Sequence, residues 1–119
     1  MAYEGTKELH LAYAELIHAA RYQGVTTYQS IAQLCNLPLT GNRMGADTGE
    51  ILGLITRQEL GEGRPMLSAV CVGVSGKPGK GFYGLAKKLG RFDSTNPGER
   101  SRFWRSELQA VYEAWKIKY

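Results

Sequence analysis

The stretch Gly24-Val25-Thr26-Thr27-Tyr28-Gln29-Ser30-Ile31-Ala32 decides how this chain folds. A glycine closes one helical pattern, Thr26 or Thr27 can cap the next, and Ile31, Leu34 and Cys35 supply the apolar stripe of a helix over 28–35. Upstream, Leu9, Tyr13, Leu16, Ile17 and Ala20 recur at helical spacing, which predicts a helix over 7–22, capped by Thr6 and stopped by Gly24. Downstream, Asn36-Leu37-Pro38 ends the second helix and the chain turns through Thr40-Gly41-Asn42. A third helix is expected over 44–60, with Met44, Ile51, Leu52, Ile55 and Leu60 on one broad face. Gly45, Gly49 and Gly53 recur every fourth residue on it and suggest a close approach by another backbone, since glycine otherwise weakens a helix.

Beyond this, Met66–Val74 is rich in valine, lies between Pro65 and Gly76, and reads as the clearest strand. Ser75–Gly81 reads as a turn, and Phe82–Leu89 as a short second strand continuing into a helix. After a loop over 92–98, a last helix is expected over 99–116, opened by Ser94, Thr95 or Asn96 with Pro97 in its first turn. Phe103, Trp104, Leu108, Val111, Tyr112 and Trp115 line its apolar side, and Trp104 and Trp115 are expected to be mostly buried against the first helix. Helix, turn, helix, strand and glycine-rich turn is the order of a winged helix-turn-helix. The expected fold is therefore a single small α+β domain over 1–119. Its winged-helix-like core covers 10–82, with a short β-hairpin or strand and an added C-terminal helix.

Composition sets the class. The chain has 119 residues, 43% of them hydrophobic and 22% charged, as a folded globule requires. No apolar run reaches the ~18 residues of a membrane span, and residues 1–5 lack a secretory pattern. Cys35 and Cys71 each sit in an apolar pattern and read as free thiols suited to the cytoplasm. The net charge of +4 is uneven: residues 1–60 carry −2 and residues 61–119 carry +6. The segment 77–91 holds Lys77, Lys80, Lys87, Lys88 and Arg91 with no acid among them, so a polyanion would meet the chain there.

The quoted stretch resembles the opening of the DNA-binding domain in the alkylguanine–DNA alkyltransferases and alkyltransferase-like proteins. There a G-x-V-T-T-Y-x-x-I-A segment starts the first helix of the helix-turn-helix. Asn42-Arg43-Met44-Gly45 stands near the start of that family's second helix, Arg64-Pro65-Met66-Leu67-Ser68-Ala69-Val70 resembles its active-site strand, and Gly76–Phe82 falls where its wing lies. The resemblance covers roughly 10–82 and implies that Tyr28 presses on the DNA backbone near an extruded nucleotide while Arg43 fills the vacated stack. It also implies that alkyl transfer is lost. Met66 occupies the position of the nucleophilic cysteine, Leu67 and Ser68 replace the following His and Arg, and Cys71 has no histidine beside it. Alkyltransferase-like proteins lack the cysteine and still bind DNA. Residues 43–60 carry Arg43 and Arg57 against Asp47, Glu50 and Glu59, a weak balance for a helix that meets phosphates.

Other constellations are thinner. Gly73–Gly81 follows a strand pattern as a phosphate loop would, but its spacing is one residue too long, Gly81 stands where Ser or Thr would hold magnesium, and Pro78 removes a donor. His10 and His18 lie eight residues apart with no ligand pattern near them. No metal and no cofactor is expected. The leading expectation is a non-enzymatic, DNA-binding winged-helix domain using Tyr28, Arg43, Lys77, Lys80, Lys87, Lys88 and Arg91. The alternatives are a protein-interaction or self-association module using the aromatic C-terminal helix, and a phosphate- or small-ligand-binding domain around Gly73–Gly81. A small domain of this kind suits a phage, plasmid or other mobile element.

Overall fold

Three side-chain caps start helices where the sequence places them. Thr6, Thr27 and Asn96 accept hydrogen bonds from the backbone N–H of Leu9, Ser30 and Glu99, each satisfying a donor that has no partner inside its own helix. The computed structural model describes residues 3–37 and 42–116, with side chains of the second stretch from Gly45 onward. Its order is α1 (Lys7–Arg21), β1 (Thr26–Thr27), α2 (Tyr28–Leu34), α3 (Asn42–Gly61), a 3-10 turn (Leu67–Val70), β2 (Cys71–Val72), α4 (Lys80–Lys88) and α5 (Pro97–Trp115). The architecture is α+β, mostly helical, with one two-stranded parallel sheet in which Thr26 pairs with Cys71 and Thr27 with Val72.

The first four helices end alike. In each, the residue after the C-cap has positive φ: Gln23, Asn36, Gly63 and Gly90. The amide after it bonds back to the carbonyl five residues earlier, as in Gly24 N–H to Ala19 O at 2.8 Å and Arg91 N–H to Ala86 O at 2.9 Å. The stop expected at Gly24 is therefore made by Gln23, with Gly24 supplying the closing amide.

Met66–Val74 is not a continuous strand. Residues 67–70 form the 3-10 turn and only Cys71 and Val72 are extended. A strand needs a neighbour of its own length to satisfy its backbone, and β1 offers only two residues. The rest of the segment bonds locally instead, as in Ala69 N–H to Met66 O at 3.0 Å. Met66–Val72 is buried throughout and runs through the core, its 3-10 turn packing on α1, α3 and α5. Phe82–Leu89 likewise has no strand. It lies in α4, whose Phe82 and Ala86 face inward one turn apart. The expected β-hairpin is not formed by the described residues, because β1 and β2 run parallel and the turn after β2 leads straight into α4.

α5 closes the core. Val111 is fully buried, and Phe103 stacks on Phe92 at 4.6 Å between ring centroids. Trp104 and Trp115 are half-buried, not mostly buried against α1. The Trp104 indole N–H donates to Ala69 O of the 3-10 turn at 2.9 Å, and Arg64 lies 5.1 Å over the Trp115 ring. Below that arginine, Glu59 is completely buried, taking the guanidinium at 2.6 Å and the Tyr13 hydroxyl at 2.7 Å. Burial and the bond to Glu59 push the Tyr13 hydroxyl up to about 12.

Candidate nucleic-acid interface

The basic segment is divided between a turn and a helix. Gly73 N–H bonds to Lys77 O at 2.9 Å and Gly76 N–H to Gly73 O at 3.0 Å, so the turn closes on itself, with Gly76 at φ 79. Val74 at its tip is 99% exposed. Lys77, Lys80, Lys87 and Lys88 are all exposed, and Lys87 comes within 3.9 Å of Asp93 in an open, weak pair. Arg91 differs: its guanidinium is bonded to Glu107 of α5, a carboxylate only 7% exposed that also accepts the Met66 N–H at 3.0 Å. Arg91 is therefore tied into the structure that holds the core segment in place.

Tyr28 meets this basic segment directly. Its hydroxyl accepts the Gly79 N–H at 2.8 Å, and a Cβ placed at Gly73 or Gly79 would lie 3.8 Å or 3.5 Å from the tyrosine side chain. The tyrosine thus braces the turn from within, and burial pushes its hydroxyl up. α4 begins immediately afterwards at Lys80, with Gly79 as an N-cap that supplies no side-chain acceptor. The Phe82 N–H bonds to Gly79 O at 3.2 Å, and no side chain caps the preceding amides of Lys80 and Gly81, which lie at the positive end of the helix.

α3 and α4 enclose a groove of about 600 Å³. Gly45, Gly49, Leu52 and Gly53 line it from α3; Gly81, Phe82, Gly84 and Leu85 line it from α4; Tyr28 and Gly79 lie along its edge. The helical glycines are explained by this groove and not by a close backbone approach. Nothing lies within 4 Å of a Cβ placed at Gly45 or Gly49, so these positions open space. At Gly53 the space is filled: the Arg57 guanidinium folds back along the helix, and its Nη1 would be 2.9 Å from a Cβ there. Arg57 and Lys88 both line the groove, and neither has a carboxylate partner among the described residues. Among the described residues Glu50 is the one acid lining it, and it accepts the Tyr3 N–H at 3.2 Å. Thr48 also lines the groove, is 2% exposed, and has a hydroxyl with no partner among the described residues.

Arg43 lies in the first turn of α3, and its side chain falls outside the described residues. Glu59, counted in the sequence against phosphate contact by this helix, is buried and neutralised by Arg64, so it leaves the surface balance of α3. Cys71 is a poor nucleophile, since burial first and Glu15 second push its thiol up to about 12. The Cys35 thiol is also raised, chiefly by burial, and donates to Glu8 O at 3.3 Å. His10 and His18 are exposed on α1, and His18 packs against the Tyr22 ring at 4.8 Å. Among the described residues no group of three or more metal-ligating side chains comes together. None of their helices is long and apolar enough to cross a membrane.

The sequence singled out Tyr28 and the lysines but not Arg57, Thr48, Glu50 or the groove between them. The four-residue glycine spacing was the available signal, and Arg57 continues that spacing one turn beyond Gly53. No protein-family model matches the chain, and no curated protein or solved structure is significantly similar to it.

Proposed function

We propose that this domain binds nucleic acid without catalysing a reaction on it, with DNA the partner that the family resemblance favours. On this reading it is a variant of the winged helix-turn-helix: α2 and α3 are the helix pair, Arg43 opens the second helix, and the turn 73–79 takes the place of a wing. One observation carries the proposal. The Gly79 N–H to Tyr28 hydroxyl bond joins two segments that were singled out separately, and the junction opens on a groove lined by Arg57 and Lys88, with exposed lysines beside it. Exposed lysines beside a helix start without a side-chain cap suit phosphate contact, which supplies most of the affinity of such domains.

Within the basic segment Lys77, Lys80, Lys87 and Lys88 are available to phosphates, while Arg91 is held by Glu107. If each of the four meets one phosphate of a duplex, log affinity falls against log salt with a slope of roughly −3 to −4. Anisotropy of a fluorescein-labelled DNA titrated with protein at several salt concentrations tests this. Lys80→Ala/Lys88→Ala should weaken binding to all sequences alike and flatten the slope by about two units. Unchanged affinity in the double variant removes the basic segment from the proposal.

A further inference from the structure

We infer that the groove between α3 and α4 seats an unpaired stretch of nucleic acid, so that the domain prefers single strands to duplex. The inference rests on the nucleic-acid reading and adds the form of the ligand. A helix that reads duplex DNA enters a major groove ~12 Å wide as a protruding ridge. The α3 stripe bearing Gly45, Gly49, Gly53 and Arg57 faces α4 across the groove, so this surface is a trough. Outside the trough α3 shows half-buried Asp47, Glu50 and Leu54 and exposed Gln58, and exposed Arg57, which lines the trough, is the one cation among its described side chains. Neither surface suits duplex phosphates.

The trough suits a single strand. From Gly45 to Arg57 it follows α3 for ~18 Å at about 1.5 Å per residue. Its glycines admit flat rings or sugar–phosphate backbone close to the helix, and Tyr28 and Phe82 add aromatic surface of the kind on which unstacked bases rest. Its charge is complementary to a strand: Arg57, Lys88 and the uncapped start of α4 attract phosphate, and Glu50 is the single acid that repels it. Thr48 supplies a hydroxyl that is buried, lines the same groove and has no partner among the described residues. Bases stacked in a duplex hide the faces that such a trough would take up.

The test compares a labelled DNA strand of about 12 nucleotides, an RNA strand of the same sequence, and the matching DNA duplex at about 100 mM salt. At least one single strand should bind the full chain about tenfold or more tightly than the duplex. Gly49→Leu should fill the trough and reduce that affinity about tenfold, while leaving duplex binding within about twofold. Nothing lies within 4 Å of a Cβ at Gly49 and leucine favours helix, so the variant keeps its fold, which circular dichroism checks. Gly53→Ala, which pushes the Arg57 guanidinium aside, should weaken strand binding less than Gly49→Leu does. A duplex bound as tightly as the tighter of the two strands, or strand affinity unchanged in Gly49→Leu, overturns the inference and leaves the nucleic-acid reading standing. Binding to none of the three overturns both.

Discussion

Glu107 offers a sharp test of how the basic segment is built. One oxygen of this buried carboxylate accepts the Met66 N–H where the chain enters the core, and the other holds the Arg91 guanidinium. Glu107→Ala leaves a buried N–H and an arginine without their acceptor. Breaking a buried pair costs about 3–5 kcal/mol, and the low end applies because the Arg91 side chain is 34% exposed and regains water. Glu107→Gln keeps an oxygen for Met66 but loses the charge, a loss of roughly 1.5 kcal/mol. At ~4 °C per kcal/mol for a domain of this size, the alanine variant should melt ~12 °C lower and the glutamine variant ~6 °C lower. Thermal and urea unfolding followed by tryptophan fluorescence measure the melting temperature and the free energy of both variants, helped by the bond from Trp104 to the core segment. The glutamine variant also frees a cation beside Lys87 and Lys88, so its DNA affinity should rise and its salt slope steepen by about one unit. Glu107→Ala within about 0.5 kcal/mol of the parent would refute the buried pair as a structural element.

The thiols and the buried tyrosine give further expectations. Incubation with alkylated-guanine DNA should leave Cys71 unmodified by mass spectrometry, since its thiol ionises only near 12; an alkyl group on Cys71 would contradict this. Cys71 and Tyr13 are both raised in the folded state, from 9.0 and 10.0 to about 12, so the fold favours their protonated forms. That stabilisation is complete below pH ~9, and it is lost as pH rises toward 12 because unfolding then releases protons. Melting temperature should accordingly fall steadily from pH 9 to 11, and a flat or rising profile would exclude these groups as the cause.

Much of the helical framework was legible because its signals are local. Thr6, Thr27, Asn96 and Pro97 act within one turn of their own positions, and the buried faces of α1 and α2 follow the 3.6-residue period. The segment 66–74 misled because strand propensity reports fitness for a half-buried pleated surface, whereas here residues 66–72 are buried on all sides and have only two residues to pair with. Phe82–Leu89 misled because Phe82 and Tyr83 favour a strand, although the whole segment up to Lys88 lies in α4 and its Gly84 lines the groove. The site was readable in its lysines and in Tyr28, which composition and resemblance select. What escaped were relations between distant residues: Arg91 with Glu107, Glu59 with Arg64 and Tyr13, and Arg57 folded over Gly53. Whether a charge is available to a ligand depends on such partners, and composition counts every charge alike.

The central claim is that nucleic acid meets the chain along the turn, α4 and the facing stripe of α3. A nitrogen-15 amide spectrum recorded while a single-stranded oligonucleotide is titrated in at about 50 mM salt tests it residue by residue. The largest shifts should fall on Gly79, Lys80, Gly81 and Lys88 and on Gly49, Gly53 and Arg57 across the groove, and they should diminish as salt is raised. Shifts confined to α1 and the C-terminal half of α5, or a spectrum unchanged at saturating oligonucleotide, would contradict it.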